Sequence, residues 1–335
     1  MEKTKVAVIG LGSIAQIMHL PALKQLDEVD LTAICDKDFS KAKSLSSKHN
    51  IKACYKDVDE MLDGSPEIEA AIIAVPTDVH GIISKKCLEA GKDIFVEKPI
   101  ARNLSEARNI VDTAEKCNKK LMVGMNNRFR NDAMLQRSFV KGKEIGEVYY
   151  VKTGWLKAQS SSQRWFMEME KAGGGVFFDN GIAMLDLGLW MLDFPEVKSV
   201  TAINYYHNTK SVEDSNFSLI KFKNGSSMTI EVSWNFIGEG ELYYCNVFAR
   251  NGSSMVNPLR IFKKIEDDIF DITPKNIKTP KNIIKQSYEY EFKHFIGALR
   301  GVHKMISTGK KALSVMEIAE AIYDSAKKEK EIVFR

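Results

Sequence analysis

The segment Gly10-Leu11-Gly12-Ser13-Ile14-Ala15 joins the apolar run Val6 to Ile9 to an apolar-periodic stretch from Ile14 to Leu26, and no other feature narrows the possible folds so far. A short apolar run bounded by glycine reads as a buried strand, and apolar residues recurring every three or four positions read as a helix. Strand, tight turn and helix in that order open a parallel βαβ unit, and the G-x-G-x-x-A spacing is that of a dinucleotide fingerprint. Gly10 allows the sharp turn, Gly12 lets the backbone approach a pyrophosphate, and Ala15 is small enough for helix to pack on strand. The helix start, with Ser13 and Ile14, offers unpaired N–H groups and partial positive charge to phosphates. The same glycines would also serve a turn in an unliganded α/β domain.

Asp36 closes the second strand candidate, Leu31 to Cys35. A carboxylate there can accept hydrogen bonds from the adenosine ribose hydroxyls and repels a 2′-phosphate, which predicts NAD. The adjacent Lys37 softens that repulsion and leaves NADP admissible, and Asp36-Lys37-Asp38 equally suits a loop. Beyond this point strands and helices alternate. A helix is predicted over Phe39 to Lys48, a strand over Ala70 to Val75, a helix over Ile82 to Ala90, a strand over Asp93 to Val96, a helix over Ser105 to Lys116 and a strand over Lys120 to Gly124. Such alternation demands a doubly wound parallel sheet with helices on both faces, a Rossmann fold over residues 1–124.

From Glu147 the texture changes to long alternating runs, Val148 to Leu156, Val200 to Tyr206, Phe217 to Phe222, Ser227 to Phe236 and Leu242 to Ala249, with Asn224-Gly225 as a hairpin signal. Residues 125–335 therefore read as an α+β domain built on one large, mostly antiparallel, open-faced sheet, with helices near Met184 to Met191, Tyr288 to Leu299 and Val315 to Lys327. Thr273 to Lys285, holding Pro274 and Pro280, reads as a mobile loop. A chain of 335 residues is long enough for two such cores.

The net charge of +4 comes from 48 basic against 44 acidic residues spread along the chain, so no nucleic-acid partner is expected. No apolar run approaches a membrane span, and no membrane partner is expected either. Five cysteines, with no Cys-x-x-Cys pair, suit neither a disulfide framework nor a zinc site, so no metal is expected and a reducing, cytoplasmic setting fits. Lys3 and Lys5 before an apolar run, then Ser13-Ile14-Ala15, mimic a signal peptide, but Gly10 and Gly12 interrupt the run and cleavage would remove the fingerprint.

Four further motifs, Pro76-Thr77-Asp78-Val79-His80, Val96-Glu97-Lys98-Pro99, Val123-Gly124-Met125-Asn126-Asn127-Arg128-Phe129, and Gly173-Gly174-Gly175 through Asp179, Gly181 and Asp186, follow the fingerprint in order. With it they resemble the glucose-fructose oxidoreductase / inositol dehydrogenase family, Gfo/Idh/MocA, over nearly the whole chain. The resemblance implies a nicotinamide-dependent oxidoreductase acting on a sugar, polyol or related hydroxy or keto compound. It implies that Lys98 lies where nicotinamide meets substrate, as proton donor or acceptor during hydride transfer. Glu97 would orient Lys98 or touch the cofactor, and the bond before Pro99 is often cis in relatives. Pro76, Thr77 and His80 would lie near the cofactor; His80 taken alone reads equally as a structural histidine. His19 reads as structural.

Asp179 matches the family's second catalytic position, where a carboxylate holds a substrate hydroxyl or orients a base. The family's histidine four residues later is Ala183 here. Alanine moves no proton, so Lys98 acts alone, or another group such as Asn180, Asn126 or His207 substitutes, or the chain is a catalytically silent dinucleotide-binding sensor. Substrate contacts are expected from Asn126, Arg128, Arg164 and Trp165, whose bland readings are loop anchors and surface cations. Trp155, Trp190 and Trp234 read as core or interface. An exposed apolar sheet face finds a partner subunit, so a homodimer or homotetramer through the second domain is expected.

Overall fold

Two sheets organise the chain, which a computed structural model describes over residues 2–158, 164–275 and 280–335; of Arg164 and Trp165 only the main chain is described. The first unit comprises Met1–Asn126 together with Ile284–Leu313, the second Asn127–Ile283 together with Ser314–Arg335.

In the first unit six strands, β1 (Thr4–Ile9), β2 (Val29–Cys35), β3 (Ala53–Tyr55), β4 (Ala70–Ile73), β5 (Asp93–Glu97) and β6 (Leu121–Gly124), form a parallel sheet in the order β3-β2-β1-β4-β5-β6. Val6, Ala7, Val8, Ala70–Ile73 and Ile94–Val96 are wholly buried, the continuous apolar pattern of a sheet covered on both faces. Gly10 has φ +90°, and a Cβ on it would stand 2.4 Å from the Ala74 carbonyl oxygen, so the turn after β1 admits glycine alone. The first helix follows where predicted, but its turn Ala15–His19 is a π-helix before the α-helical Leu20–Lys24.

Sequence reading misses β3 and the helix Val58–Gly64, because a three-residue, half-buried edge strand shows no periodicity. The boundary is also more complex than a single cut near residue 124. The helix Ile283–Leu299, expected in the second domain, belongs almost entirely to the first unit. Phe292 and Phe295 pack on Phe95 at ring distances of 5.0 and 5.7 Å, Lys120 caps the carbonyls of Ala298 and Leu299, and Ser307 bonds Val123 beside β6.

The second unit holds a nine-stranded sheet. Its strands are β7 (Val148–Leu156), β8 (Val197–Tyr205), β9 (Ser215–Phe222), β10 (Ser227–Ser233), β11 (Leu242–Ala249), β12 (Gly252–Met255), β13 (Arg260–Ile265), β14 (Asp268–Asp271) and β15 (Ile332–Val333), in the order β14-β13-β12-β11-β7-β10-β9-β8-β15. Among the described residues of this sheet only β7 and β10 pair in parallel. Asn224-Gly225 turns β9 into β10, with Gly225 at φ +87°. The outlying β12 to β14 and β15 are invisible to sequence patterning, since β14 is exposed at all four positions and β12 is Gly-Ser-Ser-Met. The loop expected from Thr273 falls partly at 276–279, outside the described residues.

Helix Ile182–Leu192 packs on β7, β10 and β11 with Leu185, Leu187 and Leu189 buried. The stretch Met169–Leu192 is, against expectation, long and apolar enough to cross a membrane, but its apolar window is 83% buried within the protein. Among the described residues the opposite sheet face is only partly covered. Register places Ile203, Phe217, Glu231, Gly154 and Tyr244 in one row across five strands, and Ile203 and Phe217 are 50% and 41% exposed.

The expectation that Arg128 meets substrate is corrected here. Its side chain is wholly buried, with Nε 2.7 Å and Nη2 2.5 Å from the two carboxylate oxygens of Asp186 on the apolar helix. A guanidinium removed from water needs such a bidentate carboxylate, and both are then committed to the core. Arg128→Met is expected to lower unfolding free energy in urea by about 3–5 kcal/mol, because Asp186 is left buried and unpaired. Arg128→Met/Asp186→Leu should recover most of that loss; an unchanged midpoint in the single variant would contradict the pairing.

Candidate active site

Four strands of the first unit end at the residues that sequence reasoning singles out. Gly10 follows β1, Asp36 follows β2, Pro76 comes shortly after β4, and Lys98 follows β5. The C-terminal ends of parallel strands share one edge, and the strand order reverses between β1 and β4, the switch point at which open α/β sheets take their ligands. A Cβ on Gly12 would meet no atom within 4 Å, so the turn leaves an open cradle in front of the helix start at Ser13 and Ile14. That cradle fits a pyrophosphate, which would receive the helix N–H groups there.

Asp36 is tied into the same turn. Its Oδ2 accepts the Leu11 N–H at 2.7 Å and its Oδ1 the Asp38 N–H at 2.9 Å, while the Lys41 ammonium lies 3.2 and 3.3 Å from the two oxygens. The cation that offsets the Asp36 charge is thus Lys41 from helix Phe39–His49, and not the exposed Lys37. No local spacing announces this pair, since Asp36 precedes the Asp38 cap and Lys41 lies inside the helix.

His80 is 1% exposed, with Nδ1 3.0 Å from the Pro99 carbonyl and Nε2 2.9 Å from that of Val75. It ties the loops after β4 and β5 together from behind, which corrects its assignment as a direct cofactor contact. Burial pushes its pKa below the ordinary value, against the opposing pull of the two carbonyls. Thr77 is also buried, whereas Pro76 is exposed on the edge.

Glu97 is buried at the end of β5. Its Oε1 lies 2.7 Å from His19 Nε2, and its Oε2 accepts the main-chain N–H of Lys98 at 3.1 Å. Burial alone would raise its pKa, but the hydrogen bond with His19, the nearby Lys98 charge and the Lys98 N–H outweigh that and hold the carboxyl below its ordinary range. Glu97 therefore fixes the Lys98 backbone as an anion. The Lys98–Pro99 peptide is cis, as the resemblance implies. His19 is wholly buried between the edges of Phe95 and Phe292, and the π-turn that ends on it aims its ring at Glu97. Sequence reasoning leaves His19 as merely structural, since nothing in its spacing foretells a π-turn.

In the second unit Asp179 occupies another π-turn, Phe177–Gly181. Trp234, taken from the sequence as core or interface, is buried and donates its indole N–H to Asp179 Oδ2 at 3.1 Å. Ala183, one turn on, is buried. Of the suggested stand-ins, Asn180 is 1% exposed with its side-chain nitrogen unpaired, His207 is exposed and stacked on Tyr205, and Asn126 donates to Ser287 Oγ at 3.0 Å. The side chains of Arg164 and Trp165 lie outside the described residues. Among the described residues no group of three or more His, Cys, Asp or Glu side chains is arranged to hold a metal.

A parallel sheet with an open glycine cradle, a carboxylate after the second strand and a lysine at one edge fits an NAD-binding oxidoreductase. Residues 4–125 match the NAD-binding Rossmann model of the Gfo/Idh/MocA oxidoreductases and residues 135–253 match their C-terminal domain, and the chain belongs to that family. It is 28% identical to D-glucoside 3-dehydrogenase of Escherichia coli over 96% of this chain and 95% of the relative. It is 26% identical to the NAD-dependent scyllo-inositol 2-dehydrogenase of Bacillus subtilis over 96% and 94%. Its fold is similar to that of levoglucosan dehydrogenase in complex with NADH and levoglucosan, with a TM-score of 0.90 at 20% identity over 99% of both chains.

Removal of the Asp36 carboxylate should weaken NAD⁺ binding by about 1.5–3 kcal/mol, the worth of a hydrogen bond to a charged group, and flatten the NAD⁺ to NADP⁺ ratio. Lys41→Ala should do the reverse for NADP⁺, weakening it while NAD⁺ is held. Titration of both coenzymes by fluorescence checks this, and unchanged ratios in both variants would contradict it.

Proposed function

We propose that the chain interconverts a hydroxyl and a keto group on a sugar, polyol or related compound, with Lys98 as the proton donor and acceptor. The observation that supports this is the placement of Lys98 directly after β5, on the sheet edge that carries the glycine cradle, with its main chain held by the buried Glu97. NAD, when bound, supplies or takes the hydride at nicotinamide C4. In the oxidative direction the Lys98 amine takes the hydroxyl proton as the carbon gives up hydride; in the reductive direction the ammonium returns it to the carbonyl oxygen. Asp179 holds a substrate hydroxyl, with its Oδ2 accepting the Trp234 indole N–H. Ala183 contributes no proton, so the proton path relies on Lys98. The names of the relatives, which act on glucosides and inositols, favour a carbohydrate-like substrate.

A panel of glucosides, inositols and keto-acids, followed by nicotinamide absorbance, should yield at least one substrate. Lys98→Met should then lower kcat by about 10²–10⁴-fold with the NADH dissociation constant unchanged. Turnover retained in Lys98→Met would remove the lysine from the proposal, and tight NADH binding with no turnover on any compound would favour a sensor.

The row through Ile203, Phe217 and Tyr244 is assigned to a second copy of the chain, since Ile203 and Phe217 leave apolar surface exposed on adjacent strands beside the polar Glu231, a mixed face of the kind subunits bury. Light scattering at micromolar concentration should give a dimer or tetramer, and Phe217→Lys should release monomer. A wild-type monomer would contradict the assignment.

A further inference from the structure

From the geometry of the glycine triplet we infer that Glu213, in the connection between β8 and β9, is the positioning residue for Asp179. The inference rests on the reading that Asp179 meets substrate. Glu213 is wholly buried, and it accepts the main-chain N–H groups of three successive residues at the start of the helix that carries Asp179. Its carboxylate takes Gly175 N–H at 3.0 and 3.1 Å and Phe177 N–H at 2.9 Å, and its own carbonyl takes Val176 N–H at 3.0 Å. The Tyr323 hydroxyl donates to the same Oε1 at 2.7 Å. Burial pushes the Glu213 pKa above its ordinary value, against the opposing pull of the Tyr323 hydroxyl and the main-chain donors, and all the named partners of its carboxyl oxygens are donors. In its ionised form the group, placed at the N-terminal end of a helix, also complements the helix dipole.

The glycines exist to let this happen. A Cβ on Gly175 would lie 2.0 Å from the Glu213 carbonyl oxygen, and one on Gly174 would lie 2.1 Å from the Tyr323 hydroxyl. Gly173, at φ +83°, turns the chain into the triplet. The Asp179 N–H then bonds the Gly175 carbonyl at 3.0 Å, so the π-turn hangs from the residue that Glu213 grips. The next residue holds the other side of Asp179, because the Asp214 carbonyl accepts the Trp234 N–H at 2.8 Å and the Trp234 indole donates to Asp179. Glu213-Asp214 thus fixes both the backbone of Asp179 and its side-chain partner. None of these groups carries a proton in the reaction, which separates a positioning role from a catalytic one.

The test uses the full chain labelled with ¹⁵N-tryptophan, in which the Trp234 indole resonance is assigned by Trp234→Phe. Asp179→Asn should move that resonance by altering its acceptor. Glu213→Gln should move it too, and Tyr323→Phe, a milder change that spares the fold if Glu213→Gln does not, should move it less. With myo-inositol and methyl α-D-glucopyranoside as probe substrates, Glu213→Gln should lower kcat/KM by about 10–100-fold, chiefly through KM, at an unchanged NADH dissociation constant. Glu213→Gln/Asp179→Asn should cost no more than Asp179→Asn alone, a non-additivity that general destabilisation would not produce. An unmoved indole resonance in folded Glu213→Gln or Tyr323→Phe, or fully additive losses, would overturn the inference. Unchanged turnover in Asp179→Asn would instead overturn the reading of Asp179, with the resonance still deciding whether Glu213 positions it.

Discussion

The close approach of Gly10 to the Ala74 carbonyl is the constraint on which the nucleotide half depends. It brings the ends of β1 and β4 together where the strand order reverses, and no residue with a Cβ could stand there. Everything that follows from the switch point, the open cradle at Gly12, the reach of Asp36 to the Leu11 N–H and the placement of Lys98 after β5, assumes that contact. A parallel sheet buried on both faces leaves only its strand ends free to carry chemistry.

Each unit then fixes the segment proposed to react by the same physical means. In the first, the buried Glu97 carboxylate receives the Lys98 N–H; in the second, the buried Glu213 carboxylate receives the N–H groups of Gly175 and Phe177 ahead of Asp179. A carboxylate out of water is costly unless its lone pairs are met by donors, so each is rigid once satisfied. Both segments also involve a π-turn, Ala15–His19 facing Glu97 and Phe177–Gly181 holding Asp179. The extra residue in such a turn re-aims the side chains that follow without ending the helix, and π-turns concentrate at functional sites.

Much of this was legible in the sequence. The glycine turn, the alternation of strand and helix and the long alternating runs of the second sheet each follow from short-range periodicity, and all appear where expected. Lys98 and Asp179 could be singled out through ordered motifs. Tertiary facts were not legible. Arg128 reads as a substrate contact within a motif, but its fate is decided by Asp186, far along the chain on an apolar helix. His19, Lys41, Trp234 and Glu213 gain their meaning from partners that no local pattern names. The return of helix Ile283–Leu299 to the first unit depends on aromatic packing against Phe95, which periodicity cannot report.

We propose that coenzyme lies over the Gly10 turn with its reactive ring beside Lys98, and a crystal structure of the NADH complex decides it. Pyrophosphate is expected over Gly12 at the helix start and nicotinamide next to the Lys98 ammonium. NADH bound elsewhere, or bound with its nicotinamide beyond contact with Lys98, would contradict it.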